Sequence, residues 1–236
     1  MNNADMHFAD IDENIRRIRF NMEQARVRYG RENDDIRIMA VTKTVPAERV
    51  NYAVSQGFTL LGENRVQEFL QKKDEYAKEA EVHFIGHLQS NKIKYIIDNV
   101  TMIQSCHSVR LAEEISAAAL KKGIVMDILC EVNIGGEESK SGFSPDEICD
   151  AVYEIAELKG VRVCGLMTIP PPHDSCAYFE KMQRLFEDIK NKHIDGTDIR
   201  LLSMGMSSDY SEAVGFGSNM VRLGSALFGA RSYSIE

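Results

Sequence analysis

Short apolar runs alternate with helix-period segments along the whole chain. "IRIMAVTK" (36–43), "FTLLGE" (58–63), "VHFIGH" (82–87), "VTMIQSC" (100–106), "MDILCEVNI" (126–134), "VRVCGLMTI" (161–169), "IRLLSMGM" (199–206) and "MVRLGSALFG" (220–229) are each apolar and bounded by polar or glycine residues. Their length suits buried strands. Between them lie segments with the other period. Phe8, Ile11, Ile15, Ile18 and Met22 recur at steps of three and four, with Gly30 as a stop. Residues 64–80, 108–123 and 178–192 are charged and amphipathic. Residues 144–160 open with Ser144 as N-cap, Pro145 in the first turn and Glu147 three residues after the cap, the signature of a capping box.

Strand and helix in strict alternation predict parallel strands joined by right-handed crossovers. Eight strands in 236 residues match a closed (β/α)8 barrel of TIM type, which takes ~250. The helix over 8–30 precedes the first strand and is an addition to it. An open, doubly wound sheet is the alternative. No Pro-, Gly- or Ser-rich linker divides the chain, so residues 1–236 are read as one domain.

Composition narrows the partners. The formal net charge is −8 with no basic block, which argues against nucleic acid or an anionic membrane surface. No stretch approaches the ~20 apolar residues of a membrane span, and "MNNADMHFADIDENI" is too acidic for a signal peptide. The five cysteines are odd in number and lack a CxxC pair, as expected of reduced thiols in the cytoplasm.

Lys43 ends the first strand on the same face as Met39 and Val41. Three roles suit it: a solvated cap, an ion-pair partner, or an amine made nucleophilic by an apolar setting. Glycines and serines in "SMGMSSDY" (203–210) and "RLGSALFG" (222–229) follow or lie on the last two strands. Gly205, Met206, Ser207, Gly224 and Ser225 could give N–H and O–H groups to a phosphate, as such loops do in many barrels, or serve only tight turns. "HFIGH" (83–87) is not a metal site: on a strand, residues four apart lie ~13 Å from each other. "GFGSNM" (215–220) is a turn.

"AVTKTVP", "GENRVQE", "HFIGHLQSNK", "EVNIGGEESKSGF", "GLMTIPP", "MGMSSDY" and "VRLGSALFG", in that order, resemble the pyridoxal phosphate homeostasis proteins, also called proline synthetase co-transcribed homologues. The resemblance spans nearly the whole chain. It implies a barrel like the N-terminal domain of alanine racemase and pyridoxal 5′-phosphate (PLP) as cofactor, bound to Lys43 as a Schiff base. It places Asn64 beside the cofactor ring and Arg222 at the pyridine nitrogen. Ser203, the backbone of Gly205 and Met206 with Ser207, and Gly224 with Ser225 would hold the phosphate. Thr42 and Ser225 stand where the family often has Ser and Thr, and both keep a hydroxyl. His87 lies near the ring or is structural.

The resemblance implies a carrier that buffers PLP or delivers it to PLP-dependent apoenzymes, without catalytic residues or a metal. Two enzymes stand as alternatives. A racemase of this fold takes a second base from a C-terminal β-domain that also makes a dimer; only "ARSYSIE" follows the last motif here, so a non-catalytic monomer is expected. A class I aldolase would use Lys43 and the phosphate cup but would not explain the motif order.

Overall fold

The computed structural model describes residues 8–230. The eight apolar runs become β1 (Arg37–Val41), β2 (Leu60–Glu63), β3 (Glu81–Phe84), β4 (Met102–Cys106), β5 (Met126–Glu131), β6 (Val161–Met167), β7 (Leu201–Met206) and β8 (Met220–Leu223). All pair in parallel in chain order, and β8 closes on β1 with Met39 opposite Arg222. That pairing excludes the open sheet: a doubly wound sheet leaves its edge strands unpaired. The fold is a closed (β/α)8 barrel.

Period-two alternation divides the apolar residues between two cores. Met39, Val41, Leu60, Ile85, Met102, Leu129, Cys164, Met167, Leu201 and Met220 fill the barrel interior. Their neighbours, such as Ala40, Leu61, Phe84, Ile128 and Val221, face outward into the layer shared with the helices. The helices are α1 (Ala9–Arg28), α2 (Ala47–Ser55), α3 (Val66–Lys72), α4 (Ile93–Ile96), α5 (Val109–Lys122), α6 (Ile148–Ala156), α7 (Ser175–Lys190), α8 (Tyr210–Gly215) and α9 (Ser225–Phe228). Each crossover covers the outward face of the strands it joins, as a sheet apolar on both faces requires. Among the described residues, no helix is long and apolar enough to cross a membrane.

The additional helix α1 buries Ile11, Ile15, Ile18 and Met22 of the expected stripe together with Ala25, while Phe8 stands half-buried at its N-cap. Ile18 is fully buried, so Ile18→Ala would cost about 2–5 kcal/mol. Two amides fix α1 against the rim: Asn14 Nδ2 donates to Leu227 O at 3.0 Å and Asn21 Nδ2 to the Tyr210 hydroxyl at 3.0 Å. Through these, α1 supports the segments that follow β7 and β8.

Three boundaries differ from the sequence expectation. The run at 220–229 is strand only to Leu223. There the chain reaches the rim, and the amides of Leu227 and Phe228 return to Gly224 O at 3.0 and 2.9 Å, making α9. The apolar character of "SALF" serves helix packing, with Leu227 fully buried. Only half of the expected capping box forms: Ser144 Oγ accepts the Glu147 amide at 3.3 Å, but Glu147 Oε2 takes the Ser144 hydroxyl at 2.8 Å in place of the Ser144 amide. It closes a turn at 145–147, and α6 proper begins at Ile148. The segment 64–80 is regular only over α3, then tightens to a 3-10 turn at Lys73–Glu75.

Candidate functional site at the barrel mouth

Two adjoining cavities of about 290 and 360 Å³ open at the C-terminal ends of the strands. They share Val41, Lys43, Gly224 and Ser225. The first is also lined by Asn64, Ile85, Ile169, Met206, Ser207 and Arg222. Together their size is in the range of small-molecule sites.

Lys43 stands at the centre because β1 ends in a fixed turn. Val45 N–H returns to Thr42 O at 3.0 Å, and Thr44 takes a positive φ of 63°. A non-glycine residue adopts that conformation only where its surroundings hold it. Here Lys72 holds it from behind, with its Nζ donating to Thr42 O (3.0 Å), Val45 O (3.3 Å) and Glu68 Oε1 (2.8 Å). Glu68 Oε1 also accepts the Thr44 amide at 2.6 Å. Burial raises the Glu68 carboxyl, but Lys72 and the Thr44 amide bring it below its ordinary value. Behind the turn, fully buried Glu63 accepts from Thr42 Oγ1 at 2.6 Å and from the Tyr76 hydroxyl. The strand end is braced on its outer face, and the Lys43 amine is presented on the inner one.

Beside Lys43, the ends of β7 and β8 place a donor-rich wall. Ser207 Oγ accepts the amides of Gly224 (3.2 Å) and Ala226 (3.0 Å). A hydroxyl oxygen drawing two backbone N–H groups marks a position suited to an anionic oxygen. Gly224 forms part of the wall: a Cβ there would meet Val41 only at 3.6 Å, so an added side chain is accommodated by the protein but intrudes on the cavity. Asn64 comes from the end of β2, and its Oδ1 is buried with no hydrogen-bond partner among the described residues. Its position requires Gly86, where a Cβ would lie 2.0 Å from Asn64 O.

Arg222 is buried in the barrel, with Nη1 donating to Ser203 Oγ at 2.7 Å and Nη2 to Thr168 O at 2.8 Å. Burial lowers its pKa to about 10, with Glu131 and Asp209 pulling it back up, so it is cationic at neutral pH. Glu131, the last residue of β5, is pushed up to about 7 by burial despite the opposing charge of Arg222.

The cavity thus gathers Lys43, Asn64, Met206, Ser207, Arg222, Gly224 and Ser225. Three residues expected at the site stand differently. The Met206 side lines the cavity, but its amide is engaged by Asp209 Oδ1 at 2.7 Å. Gly205, with φ of 91°, faces α8, where a Cβ would lie 2.5 Å from that of Ala213; it permits close packing behind the wall. Ser203 is fully buried one layer down, under Arg222. His87 lines neither cavity and stacks on His107 with centroids 4.9 Å apart, its Nδ1 within 3.1 Å of Ser141 Oγ. Glu131, Thr168 and Asp209 were not anticipated. A signal existed for Glu131, an acidic residue closing an apolar run at the same strand parity as Leu129.

Comparison with known proteins follows the same lines. The family described as "Alanine racemase, N-terminal domain" matches residues 14–232. The pyridoxal phosphate homeostasis protein of Aquifex aeolicus is 40% identical over 94% of this chain and 98% of its own. A crystal structure of a protein from Bifidobacterium adolescentis superimposes with a TM-score of 0.90 at 34% identity, covering 97% of both chains. PipY of Synechococcus elongatus, solved with PLP bound, gives a TM-score of 0.80 at 27% identity, over 93% of this chain and all of PipY. The barrel, its motif order and these likenesses together show that the chain belongs to the pyridoxal phosphate homeostasis protein family.

Proposed function

We propose that the protein binds PLP at the barrel mouth, tethers it covalently to Lys43 and acts as a reservoir that supplies apoenzymes without turning over a substrate. The carrying observation is the single cavity that joins an amine, an anion-holding wall and a buried cation. The donor set fits the group. Ser207, Ser225 and the amides of Gly224 and Ala226 suit a phosphate, Lys43 suits an aldehyde, and Val41, Ile85 and Ile169 give apolar walls to a planar ring. The orphaned Asn64 Oδ1 supports the same reading, since a buried acceptor without a donor is costly unless a ligand supplies one.

When bound, PLP supplies an aldehyde that condenses with amines and a ring that withdraws electrons once its nitrogen is protonated. Arg222 acts against the second property. A cation facing the ring nitrogen disfavours a proton there, which weakens the ring as an electron sink and favours storage over catalysis. Lys43 and the anion wall, side by side at the ends of the paired strands β1 and β8, would hold two groups of one small molecule and limit its loss to solvent. As a carrier the protein is expected to be monomeric, with a sedimentation coefficient that does not change with concentration.

The test is spectroscopic. Protein mixed with PLP should gain a visible absorbance band that borohydride abolishes, and mass spectrometry should locate the reduced adduct on Lys43. An adduct on Lys92 or Lys94 instead would overturn the tether. Amino acids should at most release the cofactor slowly; racemisation or decarboxylation at about 1 s⁻¹ or faster would restore an enzymatic reading.

A further inference from the structure

Below Arg222, the barrel interior is not uniformly apolar. Four fully or nearly fully buried polar side chains, Arg222, Ser203, Gln104 and His83, lie in sequence from mouth to floor. Arg222 Nη1 lies 2.7 Å from Ser203 Oγ, and Ser203 Oγ lies 2.8 Å from Gln104 Oε1. Gln104 Nε2 lies 2.9 Å from His83 Nδ1, and His83 Nε2 lies 2.9 Å from Glu81 Oε1. Glu81, the first residue of β3, is also bound by Arg37, the first residue of β1, on the floor.

The two ends, together with the orientation of the Gln104 amide, set the direction of every bond. A guanidinium can only donate and an ionised carboxylate can only accept. Ser203 Oγ therefore accepts from Arg222 and gives its own proton to Gln104 Oε1. The amide then turns its NH₂ to His83 Nδ1, with the second N–H reaching Met220 Sδ at 3.0 Å. His83 Nδ1 must accept, so the imidazole carries its proton on Nε2 and donates to Glu81. With the amide in this orientation His83 is neutral. Of the groups facing the ring, Glu81 and Asp127 favour its charged form, whereas Arg37 and above all burial oppose it. A proton on Nδ1 would turn the Gln104 oxygen toward His83, and Ser203 would lose its acceptor.

We infer that Gln104 and His83 are positioning residues that hold Arg222 toward the cofactor cavity through a hydrogen-bond chain of fixed direction running the length of the barrel. This rests on the PLP reading for its functional meaning but not for its existence. Arg222 is too deeply buried to be held by solvent; Ser203 Oγ anchors its Nη1 and Thr168 O its Nη2, so loss of Ser203 frees the first arm while the second stays held. The chain fixes where that charge sits, and a bound ring would sense it.

Two measurements separate the chain from the functional reading. Long-range ¹H–¹⁵N correlation on labelled protein without PLP reads the His83 tautomer directly. Wild type should show a bare Nδ1 and a protonated Nε2 from pH 6 to 8. In Gln104→Glu, which has the same shape but offers only acceptors, His83 should become protonated on both nitrogens. A proton on Nδ1 in wild type, or an unchanged His83 in Gln104→Glu, overturns the chain. With PLP added, Gln104→Leu or Ser203→Ala should weaken affinity about tenfold and displace the pH midpoint of the bound-cofactor absorbance by half a unit or more. Folded variants of either kind whose spectra and pH profiles superimpose on wild type overturn the positioning role. If wild type itself takes up no PLP, the functional reading fails, and the tautomer alone decides the chain.

Discussion

The two ends of this barrel satisfy their polar groups differently. At the floor, charges are matched. Arg162 grips Asp127 with two bonds of 2.8 and 3.0 Å, Arg200 Nε binds Asp198 at 2.6 Å, and Arg37 reaches Glu81. The Glu81 carboxyl is held down to about 2, mainly by its bond from His83, with Arg37 adding to it. At the mouth, groups are left wanting. Asn64 Oδ1 has no partner among the described residues, Glu131 is pushed up to about 7, and Thr44 sits at a positive φ. Barrels of this type keep stability at the N-terminal face and chemistry at the C-terminal one. The difference here is physical: a floor that is finished without a ligand and a mouth that is not.

The comparison breaks most easily at Lys43. Lys43→Ala should remove the borohydride-fixed adduct and the visible band entirely, while weaker, non-covalent uptake persists through the anion wall and Arg222. Equilibrium dialysis against PLP measures the remainder, and complete loss of uptake would make the amine the whole site. Gly224→Val is the next largest. The added side chain enters the cavity rather than the core, so PLP affinity should fall at least tenfold, which is about 1.4 kcal/mol. The urea midpoint should move far less. A Gly224→Val protein with wild-type affinity would remove Gly224 from the anion wall.

Glu131 sharpens the contrast through pH. Its folded pKa of about 7 lies above the ordinary carboxyl value of 4.5. The folded state therefore binds more protons than the unfolded one between those limits. Stability from this group is full below about 4.5 and is lost as pH rises through 7. Glu131→Gln removes that slope. The variant should gain stability over wild type at pH 8, on the order of 1–2 kcal/mol, and the gain should vanish toward pH 4.5. Urea unfolding at several pH values checks it; a constant difference across the range would mean that Glu131 titrates normally.

The barrel was legible because its strands are uninterrupted apolar runs, and only a parallel sheet covered on both faces uses such runs eight times. The end of β8 was not, since "GSALFG" is apolar whether it continues a strand or packs as α9. At the site, Lys43 could be placed by strand parity alone. Gly205 could not: a glycine that lets a phosphate approach and one that lets Ala213 approach look the same in sequence. The interior chain was hidden for another reason. His83 and Gln104 are isolated polar residues within the apolar stretches of "VHFIGH" and "VTMIQSC", and only closure of the barrel brings them together in its interior. The usable signal was their parity with Ile85 and Met102, since a polar residue on a buried face needs a partner.

The smallest expected effect tests the floor. Asp127 pairs across the β5–β6 ladder with Arg162 and lies 3.7 Å from Arg200. Both arginines are about half exposed, at 49% and 47%, so water screens the pairs and each contributes little. Asp127→Asn keeps the shape and one acceptor while removing the charge. Its cost should be about 1 kcal/mol or less, and less still in 1 M salt, where exposed pairs are screened. Because Asp127 lines neither cavity, PLP affinity should stay within about twofold of wild type. The informative failure is a larger change in affinity than in stability. Asp127 also faces His83, where its charge favours the protonated ring. A floor charge that altered binding at the mouth would therefore act through His83 and the hydrogen-bond chain to Arg222, and the contrast between the two ends would be one of degree.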